Sequence, residues 1–469
     1  MRMLMLPRYD ALGASSRLRM LQYIPALEAG GIDVHVSALL DDGYVTDMYA
    51  GSVSVWKVAR GYFRRLRVVW SASAYDVVWL EKELFPWLPA WLETWLLPKQ
   101  ITVVADYDDA VFHRYDRHRF GFVRWLLKNK IDRVMRRADL VTVGNEYLAE
   151  RATQAGASSV EWLPTVVDID RYSAPQLKKS GPVTIGWIGS PATAHYLHWL
   201  TSVLEEVEEC DPGLKCVAIG ARADQLVGTK FEAWTWSEAG EVEMLQRFDI
   251  GIMPLPDEPW ERGKCGYKLI QYMACGLPVV ASAVGVNVDI VQDGENGHLG
   301  RNPGEWVEAL VRLVGDPTLR ERMGASGRQR VETTYSLQAQ AMRLLGILHE
   351  ATQAKTAPKK LKIVHVIASM GMGGAESLLA DIVERQVKDG HHVGIVTFKN
   401  VNKVPLSQGV KVYSANYVDG SPLGGIQAVI RLAALLRRFR GDVVHSHMLH
   451  ANILTRMLRP FVGYPILIN

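Results

Sequence analysis

Between Trp260 and Ser282 the chain places Lys264 and Lys268 around the start of a short helix, with Gly266 and Tyr267 between them. The helix is expected over about Tyr267–Cys275. Gly276 suits the left-handed position that follows a helix, and Pro278 prevents continuation. The first backbone N–H groups of a helix lack intrahelical partners, so an anion is stabilised there. A diphosphate is the ligand that two ammonium groups at that position would hold. Lys268, Gln271 and Cys275 share one helix face, from which Gln271 can reach a hydroxyl, while Leu269, Ile270, Met273 and Ala274 pack inward. An ordinary surface helix with solvated lysines has the same local pattern, so both readings stay open.

A second cluster, Asp106-Tyr-Asp108-Asp109-Ala110 followed by Phe112-His113, ends the apolar run Ile101–Ala105. Carboxylates at the carboxyl end of a parallel strand point into the ligand crevice. Asp108, Asp109 and His113 are candidates to orient a hydroxyl group; capping by the aspartates and packing by His113 are the alternative. Asp106 and Asp108 also offer hard oxygen ligands to a divalent ion such as Mg²⁺ or Mn²⁺. They lie in a different domain from the lysine loop, so no metal requirement is expected.

Repeated strand–turn–helix successions must position these groups. Residues 1–172 open with the strand Met3–Leu6, the turn Gly13-Ala-Ser15-Ser16-Arg17 and a helical pattern to Ala29, a Rossmann-like unit. One glycine in that turn, and no acidic residue closing Asp33–Leu39, make a poor dinucleotide fingerprint. Residues 173–335 follow a polar hinge at Ser180 with a strand leading to Gly189 and Ser190, where backbone can approach phosphate. Strands Lys215–Ile219 and Asp249–Met253, separated by the helix Glu241–Arg247, predict a second parallel sheet. Residues 336–358 read as a crossover helix and linker. From 359 to 469 the pattern begins again, with the strand Leu361–Ala368, the helix Ser377–Lys388 and the strand His392–Phe398. In Gly441-Asp-Val-Val-His445-Ser-His447 the histidines are assigned to opposite faces of a strand, which would keep them from sharing a metal.

Composition narrows the function classes. Hydrophobic residues at 48% with charged residues at 22% are those expected of a soluble globular protein. A net charge of +3 gives no argument for a nucleic-acid partner. No apolar run is long enough to span a bilayer, and Cys210, Cys216, Cys265 and Cys275 form no disulfide framework, which suits a cytoplasmic location. Trp56, Ala59, Phe63, Leu66 and Trp70 repeat at helical spacing beside Lys57, Arg60, Arg64 and Arg67. This stripe is expected to cover the sheet; peripheral contact with the inner face of the plasma membrane is the alternative. Trp87, Trp91 and Trp95 extend that alternative.

The lysine loop resembles the nucleotide-sugar loop of family-4-type glycosyltransferases. Gln271-Tyr-Met-Ala-Cys-Gly-Leu-Pro-Val-Val-Ala281 matches from the family's second glutamate onward, with Gln in its place; the first glutamate falls on Gly263. Ser15-Ser16-Arg17 and Asp108-Asp109 resemble the acceptor-side domain of the same transferases. Gly373-Gly374-Ala375-Glu376 and Asp442–His447 resemble the start of a second one. The resemblance implies the GT-B fold, two Rossmann-like domains facing a cleft, plus an incomplete third unit. It implies a retaining hexosyltransferase that uses a UDP- or GDP-sugar and a glycan or lipid-linked hydroxyl acceptor in polysaccharide biosynthesis. Gly13, Ser15, Ser16, Arg17, Gly189, Ser190, Trp236, Gly266, Tyr267 and Gln271 are then the substrate-binding candidates, Trp236 by holding the base. Lys264 and Lys268 would stabilise the leaving diphosphate. A non-catalytic sugar- or membrane-binding scaffold and an NAD(P)-dependent sugar oxidoreductase are the rival readings.

Overall fold

The computed structural model describes residues 1–52, 54–172, 181–356, 360–406, 410–417 and 422–468. Residue 180, where the hinge is expected, and linker residues 357–359 lie outside them. The chain divides into two compact units, Met1–Thr356 and Ala357–Asn469.

The first unit holds two six-stranded sheets. The first comprises β1 (Arg2–Leu6), β2 (Asp33–Val36), β3 (Val77–Glu81), β4 (Thr102–Tyr107), β5 (Leu140–Val143) and β6 (Val160–Trp162), in the order β2-β1-β3-β4-β5-β6. The second comprises β7 (Thr184–Ile188), β8 (Lys215–Ile219), β9 (Glu232–Trp234), β10 (Ile250–Met253), β11 (Val279–Ser282) and β12 (Gly297–Gly300), in the order β12-β11-β10-β7-β8-β9. Every ladder is parallel. Parallel strands need helical crossovers that cover both faces, which is why β3 and β4 read as nearly continuous apolar runs and are buried throughout.

On one face of the first sheet Leu4, Val78, Leu80 and Val103 pack with Val69, Phe85, Tyr115 and Ile131. On the other, Met3, Met5, Trp79 and Val104 pack with Leu344, Leu345 and Leu348 of the helix Leu337–Thr356. Each such leucine contributes roughly 1.5–3 kcal/mol by burial, enough to seat the last helix of the unit on its first sheet. This helix runs through Thr356, so the expected crossover and linker of residues 336–358 is helical from Leu337 to Thr356.

The aromatic stripe does not cover the sheet. Helix Val55–Trp70 buries Gly61, Arg65 and Val69 instead, and leaves Trp56, Phe63 and Trp70 exposed at 85%, 63% and 74%. The cause is local. Gly61 approaches the Leu39 carbonyl too closely for a side chain, and Arg65 donates to the carbonyls of Pro7 and Ser37 at 2.6 and 3.0 Å. Trp91, Trp95, Phe122 and Trp125 are exposed as well. No helix among the described residues is long and apolar enough to cross a membrane.

The second unit is a five-stranded parallel sheet of β13 (Lys362–Ile367), β14 (His392–Thr397), β15 (Lys411–Ser414), β16 (Val443–Ser446) and β17 (Ile466–Ile468), in the order β15-β14-β13-β16-β17. The order reverses between β13 and β16, which is where open α/β sheets hold ligands.

Candidate functional site

The helix starting the lysine loop spans Tyr267–Ala274, entered through Gly266 at φ +65°. Gly266 is required twice over. The left-handed backbone disfavours a side chain, and a Cβ there would meet Ile290 at 2.3 Å. Lys268 projects over the Trp187 ring, its Nζ 4.2 Å from the centroid, and a Cβ on Gly189 would lie 2.8 Å from that Nζ. Gly189 is therefore the place where backbone and ammonium converge. Lys268 has no ion pair among the described residues. Burial and then the neighbouring Lys264 pull its ammonium down to about 7. An unbalanced, poorly hydrated cation beside a helix start is an arrangement that favours an anion.

Loop 260–266 is moored to the first sheet. Asn145, just past β5, donates to the Lys264 carbonyl at 2.9 Å. The Cys265 thiol donates to the Asp108 carbonyl at 3.0 Å, and a Cβ on Gly144 would strike that sulfur at 2.1 Å. Lys264 Nζ lies 3.9 Å from Asp109. The expected phosphate loop and the expected acceptor carboxylates thus meet, although they are about 150 residues apart in the chain.

Around Asp108 the sequence reading missed the central residues, Glu81 and Lys82. Lys82 is buried, pairs with Asp108 at 2.7 Å and Glu81 at 3.5 Å, and donates to Ser15 at 2.9 Å. Its backbone has φ +64°, unusual for a residue other than glycine. Strain of this kind concentrates at functional sites and must be offset elsewhere. Burial disfavours both partners' charges, but each overcomes it in the other: Asp108 is brought to about 2 by Lys82 and Arg19, and Lys82 is held above the ordinary lysine value. Asp109, by contrast, is raised by burial and by the Asp108 charge. The charged triplet Glu81-Lys82-Glu83 directly after the apolar run Val77–Leu80 was the available signal.

Other expected site residues have partners within the fold. Ser16 is fully buried and donates to Glu81 at 2.5 Å. Asp106 is fully buried, held by Arg19 at 2.6 and 2.9 Å and by Thr142 at 2.6 Å. His113 has both ring nitrogens engaged, by Asp116 at 2.9 Å and Tyr147 at 2.8 Å, so no nitrogen is left for an acceptor hydroxyl. Gly13 makes room for Tyr9, whose Cβ a side chain would meet at 2.2 Å. Ser15 keeps its place, 2.6 Å from Asp108 and 2.9 Å from Glu81. Arg17 reaches the turn that follows β9, 3.6 Å from Glu238.

Among the residues expected near a nucleoside, Gln271 is buried, and its amide donates to Glu241 at 2.8 Å. Trp236 donates to the other oxygen of Glu241 at 2.8 Å while staying 38% exposed. Tyr172 lies 3.5 Å from the same carboxylate, and burial raises the Tyr267 phenol beside it. Gln271, expected to reach a hydroxyl, directs its amide N–H groups at Glu241 and Tyr172. Glu241 supplies the negative charge that Gln271 lacks, from the first turn of another helix. Ser190, expected near phosphate, is exposed at the carboxyl end of β7.

In the second unit, the opposite-face assignment of His445 and His447 is corrected. Residues two apart on a strand share a face, and the two ring centroids are 4.2 Å apart. His365 joins them from β13, its Nδ1 2.9 Å from His447 Nε2. Burial lowers all three, His365 and His447 to about 4, so the rings are neutral at pH 7.

Two parallel α/β sheets in one unit, meeting across a phosphate-type loop at their carboxyl ends, define the GT-B class. Solved structures agree. Sucrose-phosphate synthase from Thermosynechococcus elongatus superimposes on 75% of this chain and 99% of its own, with a TM-score of 0.57 at 15% identity. Anabaena Alr3699/HepE in complex with UDP covers 75% and 100%, with a TM-score of 0.56 at 16% identity. At such identities the likeness is one of fold. By sequence, residues 182–316 match the family described as Glycosyl transferases group 1, and residues 372–467 match Glycosyltransferase Family 4. D-inositol 3-phosphate glycosyltransferase of Thermomonospora curvata is 36% identical over 107 residues, 22% of this chain and 23% of that protein. Trehalose synthase of Pyrococcus horikoshii is 27% identical over 162 residues, 31% and 39% of the two chains. The chain thus spans less than a quarter of the length of the first inositol-phosphate relatives it matches.

Proposed function

We propose that residues 1–356 transfer a hexosyl group from a UDP- or GDP-sugar to a hydroxyl acceptor with retention of anomeric configuration, in the assembly of a surface polysaccharide. The observation that carries this reading is the Lys268 ammonium, without a counter-ion among the described residues, stationed beside Gly189 and the Tyr267–Ala274 helix start. A diphosphate there gains charge-assisted bonds and restores Lys268 to full protonation. As the glycosidic bond to the diphosphate breaks, negative charge grows on the leaving phosphate. Lys268, Lys264 and the helix N–H groups are already in place to stabilise it. The acceptor hydroxyl enters from the Asp109 side, and its proton passes to the departing phosphate, so no protein nucleophile is assigned.

Trp236 and the Gln271–Glu241 pair are assigned to the nucleoside, with Glu241 in the ribose-holding role of the family's second glutamate. Asp108 is held by Lys82 and Ser15, and Asp109, less firmly paired, is the acceptor-side carboxylate. The named ligands of structural neighbours, UDP and UDP-glucose, are consistent with a nucleotide sugar as donor. The exposed Trp56, Phe63, Trp70, Trp91 and Trp95 beside basic residues favour peripheral docking at the cytoplasmic membrane face, where a lipid-linked acceptor would be met. No metal requirement is assigned.

A thermal-shift series with UDP- and GDP-sugars, run on the parent and on Lys268→Ala, tests the donor site. Stabilisation of the parent and its loss in the variant support it; equal stabilisation of both overturns the phosphate assignment. Release of UDP or GDP in the presence of acceptor separates an enzyme from a sugar-binding scaffold.

A further inference from the structure

We propose that His365, His445 and His447 form a binding site for a zinc-class divalent cation in the second compact unit. Three features of the site point to it.

The first is geometry. One ligating nitrogen from each ring lies within 4.8 Å of the other two, and the closest pair, His365 Nδ1 and His447 Nε2, is 2.9 Å apart. Zinc–imidazole bonds of about 2.0–2.1 Å put the nitrogens of one tetrahedral ion about 3.4 Å apart, which these rings reach by small rotations. His365 and His447 stack with their planes 27° apart, and His365 and His445 are direct register partners on β13 and β16.

The second is the outer partner. Gln386, from the helix Gly374–Lys388, accepts from His365 Nε2 at 2.8 Å. This fixes the proton on Nε2 and leaves the Nδ1 lone pair directed at the other two rings. Metal-ligating histidines are oriented by such a bond on the far nitrogen. In the metal-free state His447 Nε2–H fills that direction; a bound cation takes its place when His447 shifts its proton to Nδ1.

The third is location. The rings stand on β13, on β16 and one residue past its end, where the strand order of the sheet reverses. His365 is fully buried, whereas His445 and His447 are half-buried, which gives an entry path and leaves one coordination position facing it. The fold does not demand histidine here. The corresponding register pair of the first sheet is Met5 and Trp79, an apolar core contact. Imidazole donors select zinc, copper or nickel over magnesium and calcium.

The test is a titration of the chelator-treated full chain with Co²⁺, whose visible d–d absorption reports imidazole coordination. One equivalent per chain should saturate the band, and Zn²⁺ should abolish it by displacement. His365→Ala and His447→Ala should lose it, and Gln386→Ala should weaken binding about 10–100-fold. His445→Asn, at a half-exposed position, serves as the variant least able to disturb folding. With its circular dichroism unchanged, it too must weaken binding at least tenfold. An absent band in the parent, or equal binding by the parent and His445→Asn, overturns the site.

Discussion

The first and third sheets share a topology and part company in what fills one face. In both, a central strand pairs on one side with the next strand of the chain and on the other with the start of the second half-sheet: β1 with β2 and β3, β13 with β14 and β16. At matching register the first sheet carries Met5 and Trp79, sealed by the helix Leu337–Thr356. The third carries His365 and His445, the latter half-exposed. Two residues beyond, at the carboxyl end of the strand, Glu81 answers to His447. A parallel α/β sheet therefore constrains the strands far more than the groups at their carboxyl ends, and those groups divide the two units chemically.

The largest effect should come from the buried brace of the first sheet. Asp106→Ala leaves the Arg19 guanidinium, 1% exposed, without its bidentate partner, and should destabilise the first unit by about 3–5 kcal/mol in chemical denaturation. Trp79→Ala should cost about 3–5 kcal/mol through the cavity it leaves. His445→Ala at the matching position of the third sheet should cost less than about 1 kcal/mol, since water fills the half-open space. Equal losses for these two variants would break the comparison.

Next is the donor site. Lys268→Ala removes a charged hydrogen bond of about 1.5–3 kcal/mol and should weaken nucleoside-diphosphate binding roughly 10- to 100-fold by calorimetry. Lys268 titrates near 7 without ligand, and the bound form needs the ammonium. Affinity should therefore fall as pH rises above about 7, and Lys268→Arg should remove that dependence.

The third sheet should respond to acid in the opposite sense. His365 and His447 have folded-state values lowered to about 4 by burial, so the unfolded chain binds more protons between about 4 and 6.5. Stability gained by neutral rings is complete above that window and lost as pH falls through it. Hydrogen-exchange protection along Ile363–Ile367, referred to the intrinsic exchange rate at each pH, should fall on acidification, with no such change along Met3–Leu6. The smallest effect on folding should be that of Trp56→Ser with Phe63→Ser, within about 0.5 kcal/mol per site. The same pair should lower binding to anionic vesicles, and unchanged binding would remove the membrane-docking reading.

Much of the α/β framework could be read from the strings themselves. Apolar runs such as Val279–Ala281 and Ile101–Ala105, bounded by glycine, proline and aspartate, mark buried parallel strands, and Gly266 and Gly276 bound the short helix as expected. The aromatic stripe misled because periodicity tells that a helix has two faces, not which one meets the sheet. Gly61 and Arg65 settled that through carbonyls of residues far along the chain. His113 and Ser16 had the right types for chemistry but found structural partners.

What the sequence determined by itself is local: alternation of strand and helix, the turns that need glycine, and the placing of lysines around a helix start. These depend on backbone preferences and hydrophobic period, which neighbours within a few residues set. Tertiary structure alone decided that Lys82 holds Asp108, that Glu241 stands beside Gln271, and that three histidines gather at the ends of two strands. Each depends on which distant groups share a low-dielectric space, where an unpaired charge or polar atom is too unfavourable to persist.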